Sequence, residues 1–341
     1  VGPQSAGAEP GPLCYGRGGS AVTVTDADLV LGILNPDRPL AGGLKLDFDA
    51  AYEGVAALGR SLGLEPLVCA AGIVEIVDSR MEDLIRRVTV QRGQDPRSFV
   101  LWGYGGASGA HAGLYGKGIG VREVVFPLGN VASVWSAYGL PQLDRLKTFA
   151  KNVHFQTPFD LASLRDCLEP LEDAAREYAR LAGIDIGAVQ RRADMKFPLQ
   201  VHSVETVLPD GAVDEEWAIA LLAAFNASYE ARFGRGTGYA AAGAVMTALR
   251  VTVQAPAESI SLPTADLNEG TDAPFGERLV YWREVAERIA TPVYAGLCHK
   301  ETSIGGPALV EYPNTTIVVR PGQTLRVDQY GNLVLGLREK S

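Results

Sequence analysis

The sequence predicts an α/β fold, because one stretch of it alternates between strand-like and helix-like patterns. Residues 98–104, SFVLWGY, form an apolar run typical of a buried strand. Residues 105–120, GGASGAHAGLYGKGIG, are typical of a glycine turn that leads into a helix, and residues 121–127, VREVVFP, of a second strand. A strand, a helix and a strand in this order bury the helix against a sheet, so we assign residues 1–150 to an α/β domain.

Two helices are predicted before this unit. Residues 47–64 and 69–93 carry apolar residues three and four positions apart, which places those residues on one helix face. The segment TVTDADLVLG, residues 23–32, is open to two interpretations. On a strand, Asp26 and Asp28 would face the same side, whereas at the start of a helix they would act as N-terminal caps.

The rest of the chain predicts an α+β segment over residues 151–264 and a small β-rich element over residues 278–341. The amphipathic residues 161–183 predict a helix with a kink or break at Pro170. Further elements predicted in the α+β segment are strands within residues 191–211, a helix over residues 214–234 and a strand over residues 245–256. Residues 265–277 are rich in Ala, Pro and Asp, which predicts a flexible loop.

Composition restricts the classes of function. The 341 residues carry a formal net charge of -9 and no basic run, which argues against nucleic acid and membrane surfaces as partners. No apolar run reaches the roughly 18 residues of a membrane span. The four cysteines are scattered without a Cys-x-x-Cys pair, which predicts reduced thiols, a cytoplasmic protein and no metal site. Because the chain starts at Val1 rather than at Met, we expect a fragment or a processed chain.

The glycine turn matches neither of the common phosphate-binding patterns. The residue three positions after Gly105 is Ser108, so Gly-x-Gly-x-x-Gly is not met, and Gly116-Lys117 is followed by Gly118 rather than by Ser or Thr. Missing Cβ atoms at a strand-to-helix junction would still let a ligand approach the backbone and the free amide groups. Tight packing of the helix on the sheet is the alternative explanation for the same glycines.

Several motifs, taken in order, resemble a known family. They are VGPQSAGAEPGPLCYGRGG at residues 1–19, TVTDADLVLG at 23–32, RGQDPRSFVLWGYGGASGAHA at 92–112, GPALVEYPNTTIVVRPG at 306–322 and DQYGNLVL at 328–335. Together they are similar to the C-terminal half of the ATP-dependent subunit in the hydantoinase A, 5-oxoprolinase and acetone/acetophenone carboxylase family. The resemblance spans nearly the whole chain, and the first two motifs are quite specific.

The resemblance implies half of an actin-like ATPase fold of the acetate kinase, sugar kinase and Hsp70 type, in which two α/β domains close around ATP. The phosphate hairpins of such folds, typically Asp-x-Gly-Gly-Thr, do not occur in this sequence. The adenosine turn of such folds is similar to Gly105, Gly106, Ala107, Ser108 and Gly109. The implied cofactors are ATP and Mg²⁺, and the implied partners are an N-terminal half with the phosphate loops and a hydantoinase B-like subunit.

The candidate catalytic residues are His111, one turn after the glycines, and Asp26. An imidazole can act as acid, base or hydrogen-bond donor near neutral pH, while a purely packing role for His111 stays equally open. A candidate substrate loop comprises Ser5, Gly7, Glu9 and Asp28. Relatives usually carry Asn where this chain has Asp28 and more often Asp where it has Glu9.

The resemblance implies chemistry in which ATP activates a carbonyl group, so that a partner subunit can carboxylate or hydrolyse the substrate. Residues 195–200, MKFPLQ, retain only the Gln of the Arg-Tyr-x-Gly-Gln pattern of the hydantoin and lactam branch. Residues 229–251, which contain RFGRGTGYAAAG, are closer to the ketone carboxylases. The sequence therefore favours a ketone carboxylase subunit, with an ATP-dependent cyclic amide hydrolase and a non-catalytic structural subunit as the alternatives.

Overall fold

The computed structural model describes residues 5–183, 188–257, 273–297 and 302–337. The chain divides into two compact units, one formed by residues 1–138 together with 261–341 and the other by residues 139–260. The C-terminal strands therefore join the unit of the N-terminal helices, which differs from the predicted separate elements at 1–150, 151–264 and 278–341. Most of the predicted loop over residues 265–277 lies outside the described residues. In the described part, no helix is long and apolar enough to cross a bilayer.

The first unit contains the helices α1 (Val24–Leu31), α2 (Phe48–Leu62), α3 (Pro66–Val90) and α4 (Ser108–Ile119), and α5 (Trp135–Gly139) follows them. Helix α1 decides between the two interpretations of residues 23–32 in favour of a helix, and Thr23 is its N-cap. Asp47 caps α2 by accepting a hydrogen bond from the backbone of Ala50. Helices α2 and α3 confirm the helical spacing predicted for these segments.

Two sheets complete the first unit. The strands of the five-stranded sheet, in spatial order, are β1 (Leu101–Trp102), β2 (Glu123–Phe126), β13 (Leu333–Gly336), β12 (Thr324–Val327) and β9 (Ser303–Gly305). The strands of the four-stranded sheet are β11 (Thr315–Val319), β10 (Ala308–Tyr312), β8 (Glu287–Tyr294) and β7 (Gly276–Trp282). Strands β1 and β2 are parallel, as a strand, helix and strand unit requires. Strand β13 pairs antiparallel with β2, with Leu333 opposite Phe126, and this ladder ties the C-terminal strands to the first unit.

The second unit is a four-stranded antiparallel sheet covered by two helices. The strands are, in spatial order, β3 (Arg145–Gln156), β6 (Val245–Ala255), β4 (Ala188–Lys196) and β5 (Val204–Val207), and the helices are α6 (Leu161–Leu181) and α7 (Glu215–Phe233). Pro170 lies inside α6, but the helix is not broken there, contrary to one of the two predicted outcomes. Leu164 and Leu168 before the proline, and Ala175 after it, are buried in the same core, and this packing offsets the missing backbone hydrogen bond.

Helix α4 packs so closely on the two sheets that several of its residues must be glycine. A Cβ atom at Gly109 would lie 2.4 Å from the carbonyl oxygen of Thr316 in β11. A Cβ atom at Gly113 would meet the side chain of Gln323 at 2.9 Å. These approaches show that helix-on-sheet packing, the alternative given above, accounts for part of the glycine pattern.

We expect Gly109→Ala to lower the free energy of unfolding by about 1–3 kcal/mol, because its methyl group overlaps backbone that cannot move aside easily. The matched control is Gly72→Ala in α3, where a Cβ atom would have no neighbour within 4 Å. Since alanine favours a helix over glycine by roughly 0.5–1 kcal/mol, the control should be neutral or stabilising. Urea denaturation of both variants checks this, and equal stability of the two would contradict the packing account.

Candidate functional site

A pocket of about 350 Å³ opens in the first unit beside the N-terminus of α4. Its walls come from α1, the segment that follows α1, the turn before α4 and the turn between β10 and β11. Among the lining residues are Asp28, Arg38, Gly106, Ala107, Glu311 and Thr315. We call this cavity the glycine-turn pocket. It brings together residues that are about 80 and 200 positions apart in the chain, which sequence spacing could not indicate.

The glycine turn is held in place from both sides. Gly105 has a φ of +88°, which favours glycine, and its amide donates a hydrogen bond to the carbonyl of Ala132. The carbonyl of Gly106 accepts a hydrogen bond of 2.9 Å from the hydroxyl of Thr315. A Cβ atom at Gly106 would approach the carbonyl oxygen of Asn314 to 3.2 Å. The backbone of Gly106 therefore forms a fixed wall of the pocket without a side chain over it.

The N-terminus of α4 carries no side-chain cap. Ala107 occupies the N-cap position and has no group that could accept a hydrogen bond from the first amides of the helix. The hydroxyl oxygen of Ser108 is buried without a hydrogen-bond partner among the described residues. Uncapped amides at a helix N-terminus favour an anionic or polar group, so this end of α4 can hold a ligand in the pocket.

Behind the pocket, His111 lies between two carboxylates. Its Nε2 is 3.2 Å from Oδ2 of Asp28, and its Nδ1 is 3.1 Å from Oδ1 of Asp78. The exposed fractions of His111, Asp28 and Asp78 are 7%, 5% and 3%, so all three groups are buried. The contact with Asp78 is not aligned as a hydrogen bond. Oδ1 of Asp28 and both oxygens of Asp78 have no hydrogen-bond partner within the described part of the chain.

The two carboxylates decide the charge of His111. Burial by itself lowers the pKa of His111, but Asp28 and Asp78 more than offset burial and raise this pKa to about 10. His111 is therefore an imidazolium at neutral pH. Burial raises the pKa of Asp78, against the opposing influence of His111. Asp28 lines the pocket, and its Oδ2 pairs with His111. Its Oδ1 remains an acceptor without a hydrogen-bond partner among the described residues.

Asp26, a candidate catalytic residue, is occupied by hydrogen bonds within the chain. Its carboxylate accepts from the backbone amides of Leu13, Cys14 and Thr23 and from the hydroxyl of Thr23, at distances of 2.8–3.2 Å. Together with Thr23 it forms a capping box at the start of α1. This agrees with the capping interpretation of residues 23–32, and Asp26 does not line the pocket.

The other members of the candidate substrate loop lie apart from Asp28. Ser5, Gly7 and Glu9 are exposed, and the amide of Gly7 donates a hydrogen bond of 3.4 Å to the hydroxyl of Ser5. None of these three residues lines the glycine-turn pocket. The structure thus brings His111, Asp28 and the glycine turn together but does not add Ser5, Gly7 or Glu9 to them.

Two buried carboxylates were missed by the sequence analysis. Asp78 lies on α3 four residues after the buried Val74, so an acidic residue on the apolar face of a predicted helix was the available signal. Glu311 lines the pocket and pairs with Arg278 at 2.7 Å and with Arg38 at 3.5 Å. No local pattern marks Glu311, because its arginine partners come from distant segments.

Comparison with known proteins identifies the family. The hydantoinase/oxoprolinase model matches residues 1–142, and the hydantoinase/oxoprolinase C-terminal domain model matches residues 160–339. The chain belongs to the hydantoinase/oxoprolinase family. This confirms the resemblance inferred from the motifs.

Curated relatives of this family member include enzymes of two kinds. The gamma subunit of acetophenone carboxylase from Aromatoleum aromaticum is 33% identical over 98% of this chain and 47% of the relative. The alpha subunit of caprolactamase from Pseudomonas jessenii is 31% identical over 96% of this chain and 48% of the relative. The chain therefore spans about half the length of the curated relatives it matches.

Solved structures establish the fold of this family member. The ATP-dependent caprolactamase from Pseudomonas jessenii has a TM-score of 0.77 at 30% identity, over 98% of this chain and 50% of that chain. A nucleotide-free acetone carboxylase has a TM-score of 0.73 at 27% identity, over 98% of this chain and 49% of that chain. The expectation of α/β architecture corresponding to half of an actin-like ATPase fold is confirmed.

We expect Asp26→Asn to destabilise the protein by about 2–4 kcal/mol, because an amide cannot accept all the hydrogen bonds that a buried carboxylate accepts. The control is Asp49→Asn, the same change at an exposed carboxylate in the first turn of α2. Urea denaturation measures both. A loss of activity in Asp26→Asn at unchanged stability would instead indicate that Asp26 takes part in the chemistry.

We expect His111 to remain protonated at neutral pH, with a pKa of about 10 against an ordinary value of 6.5. Because this pKa is raised by folding, the contribution of the imidazolium to stability is complete below pH 6.5 and is lost as the pH rises through about 10. Titration of the imidazole resonances by NMR measures the pKa, and Asp78→Asn should lower it. Titration of His111 near its ordinary value would rule out the two-carboxylate account.

Proposed function

We propose that this chain is the adenosine-binding half of an ATP-dependent enzyme that activates a carbonyl group. The observation that carries the proposal is the glycine turn, whose bare backbone and uncapped helix N-terminus open onto one pocket that also contains Asp28. The ATP-dependent caprolactamase and the ATP-dependent acetone carboxylase support ATP as the cofactor. The phosphate contacts would come from a separate N-terminal half, since this sequence has no Asp-x-Gly-Gly-Thr hairpin.

The residues of the pocket fit a nucleoside. Gly106 and Ala107 would allow a flat ring to approach the backbone, and apolar side chains such as Leu34, Leu40 and Leu44 form part of the opposite lining. When bound, ATP would supply the phosphoryl group that activates a carbonyl oxygen. For Mg²⁺, the described residues do not bring together three groups that could hold a metal ion. Any Mg²⁺ would therefore depend on phosphate oxygens or on groups outside the described residues.

Asp28 and His111 would orient what binds in the pocket. Oδ1 of Asp28 is an acceptor without a partner in the described chain, suited to a ribose hydroxyl or to another O–H or N–H donor. The imidazolium of His111 would fix the carboxylate of Asp28 by its contact with Oδ2, and Asp78 would hold the imidazolium from the other side. In this arrangement His111 is a positioning residue, because Asp28 stands between it and the pocket.

For the reaction itself we propose carboxylation of a ketone. The relative from Aromatoleum aromaticum and the RFGRGTGYAAAG segment support this choice, as does the loss of most of the Arg-Tyr-x-Gly-Gln pattern. The relatives named above are subunits, which supports a hetero-oligomer with a hydantoinase B-like partner. The similarity to the caprolactamase structure, with its TM-score of 0.77, favours a cyclic amide hydrolase as the second candidate.

The decisive experiment measures ATP turnover by the chain together with polypeptides that carry the phosphate hairpins and the partner subunit. We expect a ketone to stimulate turnover only when bicarbonate is present. Stimulation by a cyclic amide without bicarbonate would replace the carboxylase with the hydrolase. The absence of turnover with every substrate and all partners present would overturn the enzymatic proposal in favour of a structural subunit.

Within that assay, Asp28→Ala should reduce the stimulated turnover by about tenfold or more, because a ligand would lose its hydrogen-bond acceptor. The matched control is Asp37→Ala, the same substitution at an exposed residue that does not line the pocket. Equal turnover of the two variants would show that Asp28 does not contribute to ligand binding in the pocket.

A further inference from the structure

A second cavity lies on the other side of the buried histidine. It has a volume of about 340 Å³ and is bounded by α3, α4 and the segment that joins β7 to β8. We call it the α3 pocket. Its polar or charged lining residues are Glu75, Asp78, Ser79, Glu82, Lys117, Arg283, Glu284 and Arg320, and its apolar lining includes Leu31, Val74, Leu114 and Trp282. A lining that combines apolar side chains with convergent polar groups is typical of a small-molecule site.

The unusual member of this lining is Asp78. It is only 3% exposed, yet neither of its carboxylate oxygens has a hydrogen-bond partner among the described residues. Its Oδ1 lies 3.1 Å from Nδ1 of His111, whose positive charge is shared with Asp28. A buried carboxylate without hydrogen bonds costs free energy, which a ligand with hydrogen-bond donors would recover.

The remaining charges leave the α3 pocket with an excess of negative charge. Arg320 is bound through two nitrogens by Glu284, at 2.6 and 3.1 Å, and Arg283 pairs with Glu75 at 2.6 Å. These pairs occupy the two arginines of the lining. Asp78 and Glu82 then face Lys117, whose side chain is exposed, and His111, whose positive charge is shared with Asp28. The net negative charge of the lining therefore favours a positively charged ligand over an anion.

We propose that the α3 pocket is a second binding site, which takes a small organic ammonium ion with an apolar body and holds the ammonium group at Asp78. The ammonium group would donate a hydrogen bond to Oδ2 of Asp78, which has no partner among the described residues, and the apolar body would lie on Val74, Leu114 and Trp282. The site goes beyond the function proposed above and does not depend on which carbonyl compound the enzyme uses. It is also separate from the glycine-turn pocket, although His111 contacts a carboxylate of each.

The probe for this site is cyclohexylammonium, with cyclohexanol as a neutral compound of nearly the same shape. Protein labelled with 5-fluorotryptophan reports binding through the ¹⁹F resonance of Trp282, which is assigned by its loss in Trp282→Phe. We expect a saturable shift with cyclohexylammonium and roughly tenfold weaker binding of cyclohexanol, since hydrogen bonds to charged groups are the stronger ones. Equal affinity for the two compounds, or no saturable shift, would overturn the proposal.

Variants locate the bound ammonium group. Asp78→Asn keeps the shape of the side chain and should weaken the binding of cyclohexylammonium by roughly tenfold. The matched control is Asp83→Asn, on the same helix but exposed and outside the lining, and it should bind like the unmodified protein. Unchanged binding by Asp78→Asn would refute the assignment. If circular dichroism shows that Asp78→Asn does not fold, the affinities of the unmodified protein for cyclohexylammonium and cyclohexanol decide whether the pocket binds an ammonium group.

Discussion

The position of His111 between two buried carboxylates connects three helices and both pockets of the first unit. Asp28 comes from α1, His111 from α4 and Asp78 from α3, so one side chain joins three helices. Removing His111 would leave two carboxylates in the interior without a positive partner, which costs far more than the loss of an exposed ion pair. The same contacts place a carboxylate in each of two pockets that open on different sides of the histidine.

Helix α4 can hold His111 at this position only because it lies almost directly on the sheets. Gly109 approaches the backbone of β11, and Gly113 approaches Gln323, which in turn donates a hydrogen bond to the carbonyl of Gly113. Gly106, at the turn before the helix, remains open on its pocket side. The glycine-rich segment therefore has two physical roles: its later glycines permit close packing, and Gly106 exposes backbone to the pocket.

The family relationship and the geometry constrain function at different levels. The family models and the related structures establish the hydantoinase/oxoprolinase family and the fold. The acetophenone carboxylase subunit is 33% identical to this chain and the caprolactamase subunit is 31% identical. Because the two values are so close, overall similarity does not select a reaction.

The sequence by itself determined the local elements, the family and the position of the glycine turn, since helical spacing, turn glycines and motifs are properties of contiguous residues. It identified His111 and Asp28 as candidates but could not show that they touch, because α1 and α4 lie about 80 residues apart in the chain. It also could not distinguish Asp26, which caps α1, from Asp28, which faces the pocket, as the two stand only two positions apart. Asp78, the pairing of β13 with β2 and both pockets were decided by the tertiary structure alone, because burial and long-range pairing exist only once distant segments pack together.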